Sequence, residues 1–261
     1  MTDRRIVLGT SLKMYFGHQQ TLRWASAVAD ILAASPAVET GQLEFFLAPA
    51  FPALPETVRI FAPHPVAAQD VAAAEPGAFT GEVSAAELAE IGVRLVEIGH
   101  AERRRLFGET DAQIATKCAM ALAHGLTPVL CVGEPELGTV AEAARVVVDQ
   151  VDAALAAPLR DTPDRRVIVA YEPQWAIGAA EPAPADRIRA ICDLVRDELR
   201  ERYSDLVLLY GGSAGPGTLT GLGDAVDGLF LGRFVHDPRN VARVVDEAGR
   251  LLGCPTPAPA S

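Results

Sequence analysis

The sequence predicts a single α/β domain of the (β/α)8 barrel class. Short, almost entirely apolar runs alternate with amphipathic helical stretches, and eight such pairs can be counted along the chain. Continuously apolar strands are typical of parallel sheets that helices cover on both faces. Eight units in 261 residues, with no shift in composition to mark a domain boundary, favour a closed barrel over a doubly wound open sheet.

The elements follow in order from the first strand, which is predicted at residues 6–10 in "IVLGT". Seven further strands are predicted at 44–48, 66–69, 95–98, 127–132, 166–171, 207–210 and 229–232. The helical period predicts helices at 21–34, 52–61, 84–90, 111–124, 140–156, 186–203, 216–222 and 240–252, with a short one at 101–105. Ser84 and Asp111 are expected to be N-caps. The barrel domain is assigned to residues 1–252, and the proline-rich 253–261 to a flexible tail.

Composition argues against several classes of function. No apolar run approaches the roughly 20 residues that a membrane-spanning helix needs, and a net charge of -11 disfavours nucleic acid and anionic membranes as partners. The apolar stretch near the N-terminus is too short for the core of a signal peptide, so we expect a cytoplasmic protein. If the ligand is an anion, a local cluster of positive charge must overcome the repulsion from the net negative charge of the protein.

The cysteines and most histidines show no metal-ligand spacing, so neither a metal nor a cofactor is expected. The four cysteines are predicted to be buried, reduced thiols: Cys118, Cys131, Cys192 and Cys254. Four histidines are assigned to the surface or the core: His18, His64, His124 and His236.

Polar residues follow the predicted strands, and in a barrel of this class the chemistry lies at these C-terminal strand ends. In strand order they are Ser11 and Lys13, Gln69 and Asp70, His100 and Glu102, Glu172, Gly211 to Ser213, and Gly232 with Arg233. A base, an imidazole, an ammonium group and glycine-rich turns are therefore expected to meet at one mouth.

Each of these residues also has a structural alternative. Lys13 is one of only two lysines among 23 cationic residues, which favours a site that needs a compact ammonium, but it could be a solvated loop residue. His100 could merely cap a helix, Glu172 could be structural, and the loop "YGGSAGPG" could be a simple turn rather than a phosphate site.

Taken together, the motifs resemble the triose-phosphate isomerase family over about residues 6–252. The shared segments, in order, are "KM", "AQD", "GAFTGE", "IGHAERRRLFGET", "GLTPVLCVGE", "AYEPQWAIG", "LYGGS" and "DGLFLG". The resemblance implies that Glu172 is the base that moves a proton between neighbouring carbons and that His100 is a neutral electrophile. A neutral imidazole in this role is already established for that family. Lys13 would stabilise the enediolate and the phosphate, with Glu102 holding its ammonium in place.

The resemblance also implies a lid over residues 173–182. Trp175 would lie at its first hinge, and Gly178 would offer a backbone N–H to the phosphate. Ile177 and Phe230 would exclude water from the Glu172 carboxylate, which makes it a stronger base.

Further roles are implied at the phosphate end and at a subunit contact. Tyr210 and Ser213 would hold the closed lid, and Ser213 with Gly232 would donate hydrogen bonds to the phosphate. The loop around Thr80 resembles the family's intersubunit loop, so a homodimer is expected.

Departures from the family pattern cluster at the site. Where most members carry Asn-Trp, Asn, Asn, Ser and Gly, this chain has Ser11-Leu12, Tyr15, Asp70, Ala101 and Arg233. Ser11 and Ala101 should widen the pocket enough for an added CH2OH, and Arg233 would add positive charge beside the phosphate or point to solvent.

The combination "GTS" with "GR" resembles a branch that interconverts L-erythrulose 1-phosphate and D-erythrulose 4-phosphate. The alternatives are an ordinary triose-phosphate isomerase, a sugar-phosphate-binding paralogue without turnover, and a Schiff-base aldolase that uses Lys13.

Overall fold

Eight parallel strands form one sheet that curls into a barrel. The computed structural model describes residues 4–160, 162, 164–177 and 183–255. The strands are β1 Ile6–Ser11, β2 Leu43–Ala48, β3 Ala67–Ala68, β4 Leu95–Ile98, β5 Thr127–Val132, β6 Val167–Tyr171, β7 Leu206–Tyr210 and β8 Gly228–Leu231. They pair in the order β2-β1-β8-β7-β6-β5-β4-β3, and a parallel bridge between Leu47 and Val66 joins β2 to the start of β3. The predicted single (β/α)8 barrel is confirmed.

Helices surround this sheet. They are α1 His18–Ala33, α2 Pro36–Glu39, α3 Leu54–Phe61, α4 Ala85–Glu90, α5 Ala101–Phe107, α6 Asp111–Ala123, α7 Val140–Leu155, α8 Ala185–Leu199, α9 Thr218–Leu222 and α10 Pro238–Leu251. Short 3₁₀ turns cover Phe51–Ala53, Gln174–Ala176, Gly223–Ala225 and Arg233–His236. Within the described ranges, no helix is long and apolar enough to cross a membrane.

One of the two expected N-caps is wrong. The Ser84 hydroxyl accepts a hydrogen bond from the Glu87 N–H, as predicted. On α6, however, the cap is Thr110, because its side chain accepts from the Gln113 N–H while the Gln113 side chain accepts from the Thr110 N–H. This reciprocal capping box satisfies two free donors. Asp111 is instead the first helical residue, where its negative carboxylate interacts favourably with the positive end of the helix dipole.

The apolar residues form two layers. An inner cluster fills the barrel, where the rings of Phe46 and Phe230 stack 5.7 Å apart, and a larger cluster lies between strands and helices. All four cysteines are unpaired. Three of them are buried as predicted, whereas Cys254 is only half-buried, because it follows the last helix near the chain end. Of the predicted tail, residues 256–261 lie outside the described part.

Candidate active site

A cavity of about 530 Å³ opens at the C-terminal ends of the strands. Its lining includes predicted site residues from five strand ends: Ser11, Lys13, His100, Glu102, Glu172, Ile177, Ser213, Phe230, Gly232 and Arg233. A larger cavity of about 760 Å³ lies near the opposite end of the strands. There Arg4 pairs with Asp224 and Arg166 with Glu44, so these charges are already neutralised. The cavity at the C-terminal strand ends is the candidate site.

Glu172 follows β6, and its carboxyl group is held in a tight backbone cradle. The backbone N–H of Glu172 donates to the Val132 carbonyl at 2.8 Å. A Cβ atom at Gly211 would lie 2.7 Å from the Glu172 carboxyl oxygen Oε1, and one at Gly133 would lie 1.9 Å from its carbonyl oxygen, so both neighbours must lack a side chain. Burial, and then the negative charge of Glu97, raise the pKa of Glu172 to about 8.

His100 both caps α5 and faces the carboxyl group of Glu172. Its Nδ1 accepts a hydrogen bond from the Glu102 N–H at 3.1 Å, so the proton of the neutral ring is on Nε2. Nε2 lies 3.4 Å from Glu172 Oε2. Burial, and then the Lys13 charge, lower the pKa of His100 to about 4. At neutral pH the ring is therefore an uncharged hydrogen-bond donor beside a carboxyl group.

Lys13 sits in a strained turn that directs its ammonium into the cavity. Its φ of 49° is left-handed, which is uncommon for a residue with a side chain. The Gln69 amide fixes the turn by donating to the carbonyls of Lys13 and Ala48. Nζ lies 2.8 Å from Glu102 Oε1. Burial is the largest single effect and opposes the charge, but the hydrogen bond to Glu102 and the negative charges of Glu102, Glu172 and Glu97 together outweigh it. They raise the pKa of Lys13, so the amine stays protonated.

Residues that follow β7 and β8 also line the cavity and bring a second cation to it. Ser213, Gly232 and Arg233 line it, and the Arg233 guanidinium lies 5.8 Å from the centre of the Tyr15 ring. Both side chains are exposed, so this is a contact at the rim of the cavity. Tyr210 is buried, and its hydroxyl has no hydrogen-bond partner among the described residues.

The start of the predicted lid is anchored by a buried carboxylate. Trp175 Nε1 donates to Glu134 Oε1 at 2.8 Å, and the Tyr171 hydroxyl donates to the same oxygen at 3.2 Å. Ile177 borders the cavity and is 44% exposed. Gly178, like the rest of 178–182, lies outside the described residues, so its expected contact with a phosphate stays a prediction.

Two further predictions concern Ala101 and Thr80, which do not line the cavity. Ala101 begins α5 and is not part of the lining, whereas Ser11 is, so any widening of the pocket comes from Ser11. Thr80 is exposed on a loop whose neighbour Phe79 is 53% exposed, and neither lines the cavity.

Sequence reasoning missed two buried glutamates, Glu97 and Glu134. The signal for Glu97 was present, because a single acidic residue interrupts the apolar strand "LVEI". Glu134 follows β5 in "VGE", where the strand-end rule applied to the other sites would have selected it. Within the described ranges, no group of three or more His, Cys, Asp or Glu side chains could hold a metal ion.

The chain is similar to known isomerases over most of its length. A family model described as triosephosphate isomerase matches residues 6–248. The chain is 49% identical over 255 residues to L-erythrulose-1-phosphate isomerase of Pectobacterium atrosepticum, covering 96% of this chain and 98% of that protein. It is 38% identical to the protein of the same name from Mycolicibacterium smegmatis, covering 92% of each. It is 37% identical to triosephosphate isomerase of Thermus thermophilus, covering 82% of this chain and 86% of that protein.

Proposed function

Since the chain belongs to the triosephosphate isomerase family of isomerases, we propose that it moves a carbonyl group by one carbon in L-erythrulose 1-phosphate, giving D-erythrulose 4-phosphate. The observation that carries the chemistry is the 3.4 Å approach of the His100 Nε2 donor to the Glu172 carboxyl group at one cavity. The small Ser11 in the lining and the names of the relatives favour the four-carbon substrate.

The proposed reaction is an internal proton transfer. The Glu172 carboxylate takes the proton from C3 of the ketose phosphate, and the C2 carbonyl oxygen accepts a hydrogen bond from His100 Nε2. The resulting enediolate receives the proton back from Glu172 at C2, while the hydroxyl proton passes from the C3 oxygen to the C2 oxygen through the imidazole. The carbonyl then stands at C3, and no atom is gained or lost. A neutral imidazole suits this role because it can both give and accept a proton.

Lys13 is proposed to stabilise the negative charge of the enediolate. Its ammonium is already positioned by Glu102, so little reorganisation is needed when the charge develops. Because its pKa is raised, Lys13 does not provide the neutral amine that a Schiff base requires. This disfavours the aldolase alternative.

The phosphate is proposed to bind at the wall formed by Ser213, Gly232 and Arg233. Successive backbone N–H groups in such turns bind anions. Arg233 adds a positive charge that this otherwise acidic protein needs locally. Gly178 is proposed to add a further N–H when the lid closes.

The test is kcat/KM of the purified protein, measured side by side for L-erythrulose 1-phosphate and D-glyceraldehyde 3-phosphate. We expect a preference of at least about 100-fold for the tetrulose, because a site with a matching polar partner discriminates by this order or more. Comparable or better turnover of the triose would instead identify an ordinary triose-phosphate isomerase. Binding of both sugars without turnover would identify a non-catalytic paralogue.

A homodimer is proposed from the exposed apolar side chains near the Thr80 loop. Phe79 is 53% and Phe107 is 70% exposed, and both border one surface hollow. Exposed apolar groups that cluster in this way are typical of protein interfaces. A cytoplasmic location is proposed as well, since four unpaired cysteines are typical of a reducing compartment.

A further inference from the structure

A pair of stacked aromatic rings lies inside the barrel, one on each side of β1. Phe46 on β2 and Phe230 on β8 both belong to the inner cluster, and their ring centres lie 5.7 Å apart with an angle of 21° between the ring planes. Gly9 on β1 pairs with Phe46 on one side and with Phe230 on the other. The two rings therefore meet across a residue that has no side chain.

Gly9 leaves the room that this stack needs. A Cβ atom at Gly9 would lie 2.1 Å from Cζ of Phe46, so the tip of this ring covers the glycine. Phe46 is fully buried, and Phe230 is 3% exposed. Of the two, only Phe230 lines the cavity. The Phe46 ring is thus enclosed behind the Phe230 ring and restricts the positions that the Phe230 ring can take, because close-packed side chains have little free volume.

Phe230 lies next to the proposed base, across a second glycine. Gly211 follows β7 directly and still donates its N–H to the end of β6 at 2.8 Å. The register between β7 and β8 places Gly211 opposite Phe230. From the other side, the Glu172 carboxyl group leans over Gly211, since a Cβ atom there would lie 2.7 Å from Oε1 of Glu172. Phe230 is therefore a large apolar neighbour of Glu172.

This position of Phe230 bears on the length of the substrate. In the proposed reaction Glu172 takes the proton from C3, and the phosphate is attached at C1, on the other side of the carbonyl. A carbon attached to C3 lies only about 1.5 Å from it, so the hydroxymethyl group of the tetrulose phosphate must occupy space beside the residues that border Glu172. Of the two apolar residues expected there, Phe230 is buried, whereas Ile177 is 44% exposed. The Phe230 ring is the fixed surface that a longer carbon chain would meet.

Resting on the proposed function, we propose that the Phe46–Phe230 stack limits the substrate to four carbons. Phe230 contacts the hydroxymethyl group of the tetrulose phosphate, and Phe46 is a positioning residue that keeps the Phe230 ring in place. Forcing extra atoms against a well-packed core is unfavourable, so a fifth carbon is rejected. The small Ser11 leaves room for the fourth carbon, and the stack excludes the next one. Phe46 thus determines substrate length without touching the substrate.

The test uses three ketose phosphates that share the phosphate at C1 and the carbonyl at C2: dihydroxyacetone phosphate, L-erythrulose 1-phosphate and D-xylulose 1-phosphate. D-Xylulose 1-phosphate has the same configuration at C3 as the tetrulose phosphate and one more carbon. The unchanged protein should favour the tetrulose over the pentulose by about 10- to 200-fold in kcat/KM, the range expected for one carbon group that does not fit.

Phe46→Ala and Phe46→Leu should each reduce this ratio by at least about 10-fold, because the Phe230 ring can move into the vacated space and admit the fifth carbon. Turnover of the pentulose should rise in absolute terms, whereas a merely structural role would lower kcat/KM for all three sugars alike. The matched controls are Phe45→Ala and Phe45→Leu, since Phe45 is 1% exposed but packs against Phe61 in the outer layer. These controls should leave the ratio unchanged.

Each outcome decides a different point. An unchanged tetrulose-to-pentulose ratio in the Phe46 variants, or an equal change in the Phe45 controls, overturns the role of the stack. If Phe46→Ala does not fold, Phe46→Leu decides. Comparable turnover of tetrulose and pentulose by the unchanged protein overturns the length limit but leaves the proposed function intact. A preference for the triose overturns the proposed function, and the pentulose-to-triose ratio of the variants then still tests the stack. Absence of turnover of all three sugars overturns both.

Discussion

Shortening Glu172 to aspartate should nearly abolish turnover while leaving the fold intact. The change withdraws the carboxylate by about one carbon–carbon bond, roughly 1.5 Å. Its 3.4 Å separation from His100 Nε2 would then approach about 5 Å. A misplacement of about 1 Å can reduce the rate 100-fold, so we expect kcat to fall by about 100- to 1,000-fold, or about 3–4 kcal/mol. The lost methylene group should reduce the free energy of unfolding by only about 0.8 kcal/mol.

The assay is steady-state turnover of L-erythrulose 1-phosphate, with exchange of the C3 hydrogen in D2O followed by NMR. Exchange should slow in parallel with turnover, because both require proton removal by Glu172. Glu247→Asp is the matched control, since it removes one methylene from an equally buried glutamate outside the cavity. Glu172→Asp turnover within about 10-fold of the unchanged protein would refute the assignment of Glu172 as the base.

Three further predictions use simpler changes. Lys13→Met should lower kcat/KM by about 100- to 1,000-fold through loss of oxyanion stabilisation. Thermal stability should be preserved, because its partner Glu102 is partly exposed. If borohydride instead traps a covalent adduct of substrate on Lys13 in the unchanged protein, this role is contradicted. Arg233→Ala should raise KM by about 3- to 10-fold with kcat nearly constant, because a charge-assisted contact to the phosphate is lost. A fall in kcat at unchanged KM would contradict a phosphate-binding role for Arg233. Deleting residues 78–81 should give monomers of low activity by light scattering, whereas an active dimer would show that this loop is not the subunit contact.

Most of the fold could be predicted because its elements have strong local signals. The strand at Thr127–Val132 was predicted with the observed bounds, since a continuous apolar run ends at a glycine. The helix at Ala185–Leu199 ends four residues before the predicted end, because Tyr203 packs as part of the core without continuing the helix. The short helix at Pro36–Glu39 was missed, since four residues are too few to show a helical period.

The part of the site that could be predicted from the sequence consists of residues at the C-terminal ends of strands. Lys13, His100 and Glu172 reach one cavity because parallel strands bring their C-terminal ends together. Glu97 lies within β4, inside an apolar run and before the strand end that carries His100. A rule that reads only strand ends therefore overlooks it. Whether its carboxyl group faces the barrel or the helices depends on strand alternation, which becomes definite only with the register.

The scarcity of lysine follows from the geometry of the two positions that keep it. Lys117 is buried between Asp70, 2.6 Å away, and Glu109, while Lys13 bonds Glu102 beside the cavity. Lys117 shares its donors between two carboxylates, whereas Lys13 uses its ammonium on Glu102 alone. An ammonium has three hydrogens around one point, so Lys13 can hold Glu102 and still offer hydrogens to a substrate oxygen. A planar guanidinium would engage the carboxylate with two parallel bonds and direct its charge away from the reacting oxygen. In a protein of net charge -11 that otherwise uses arginine, lysine is retained where a point charge is required.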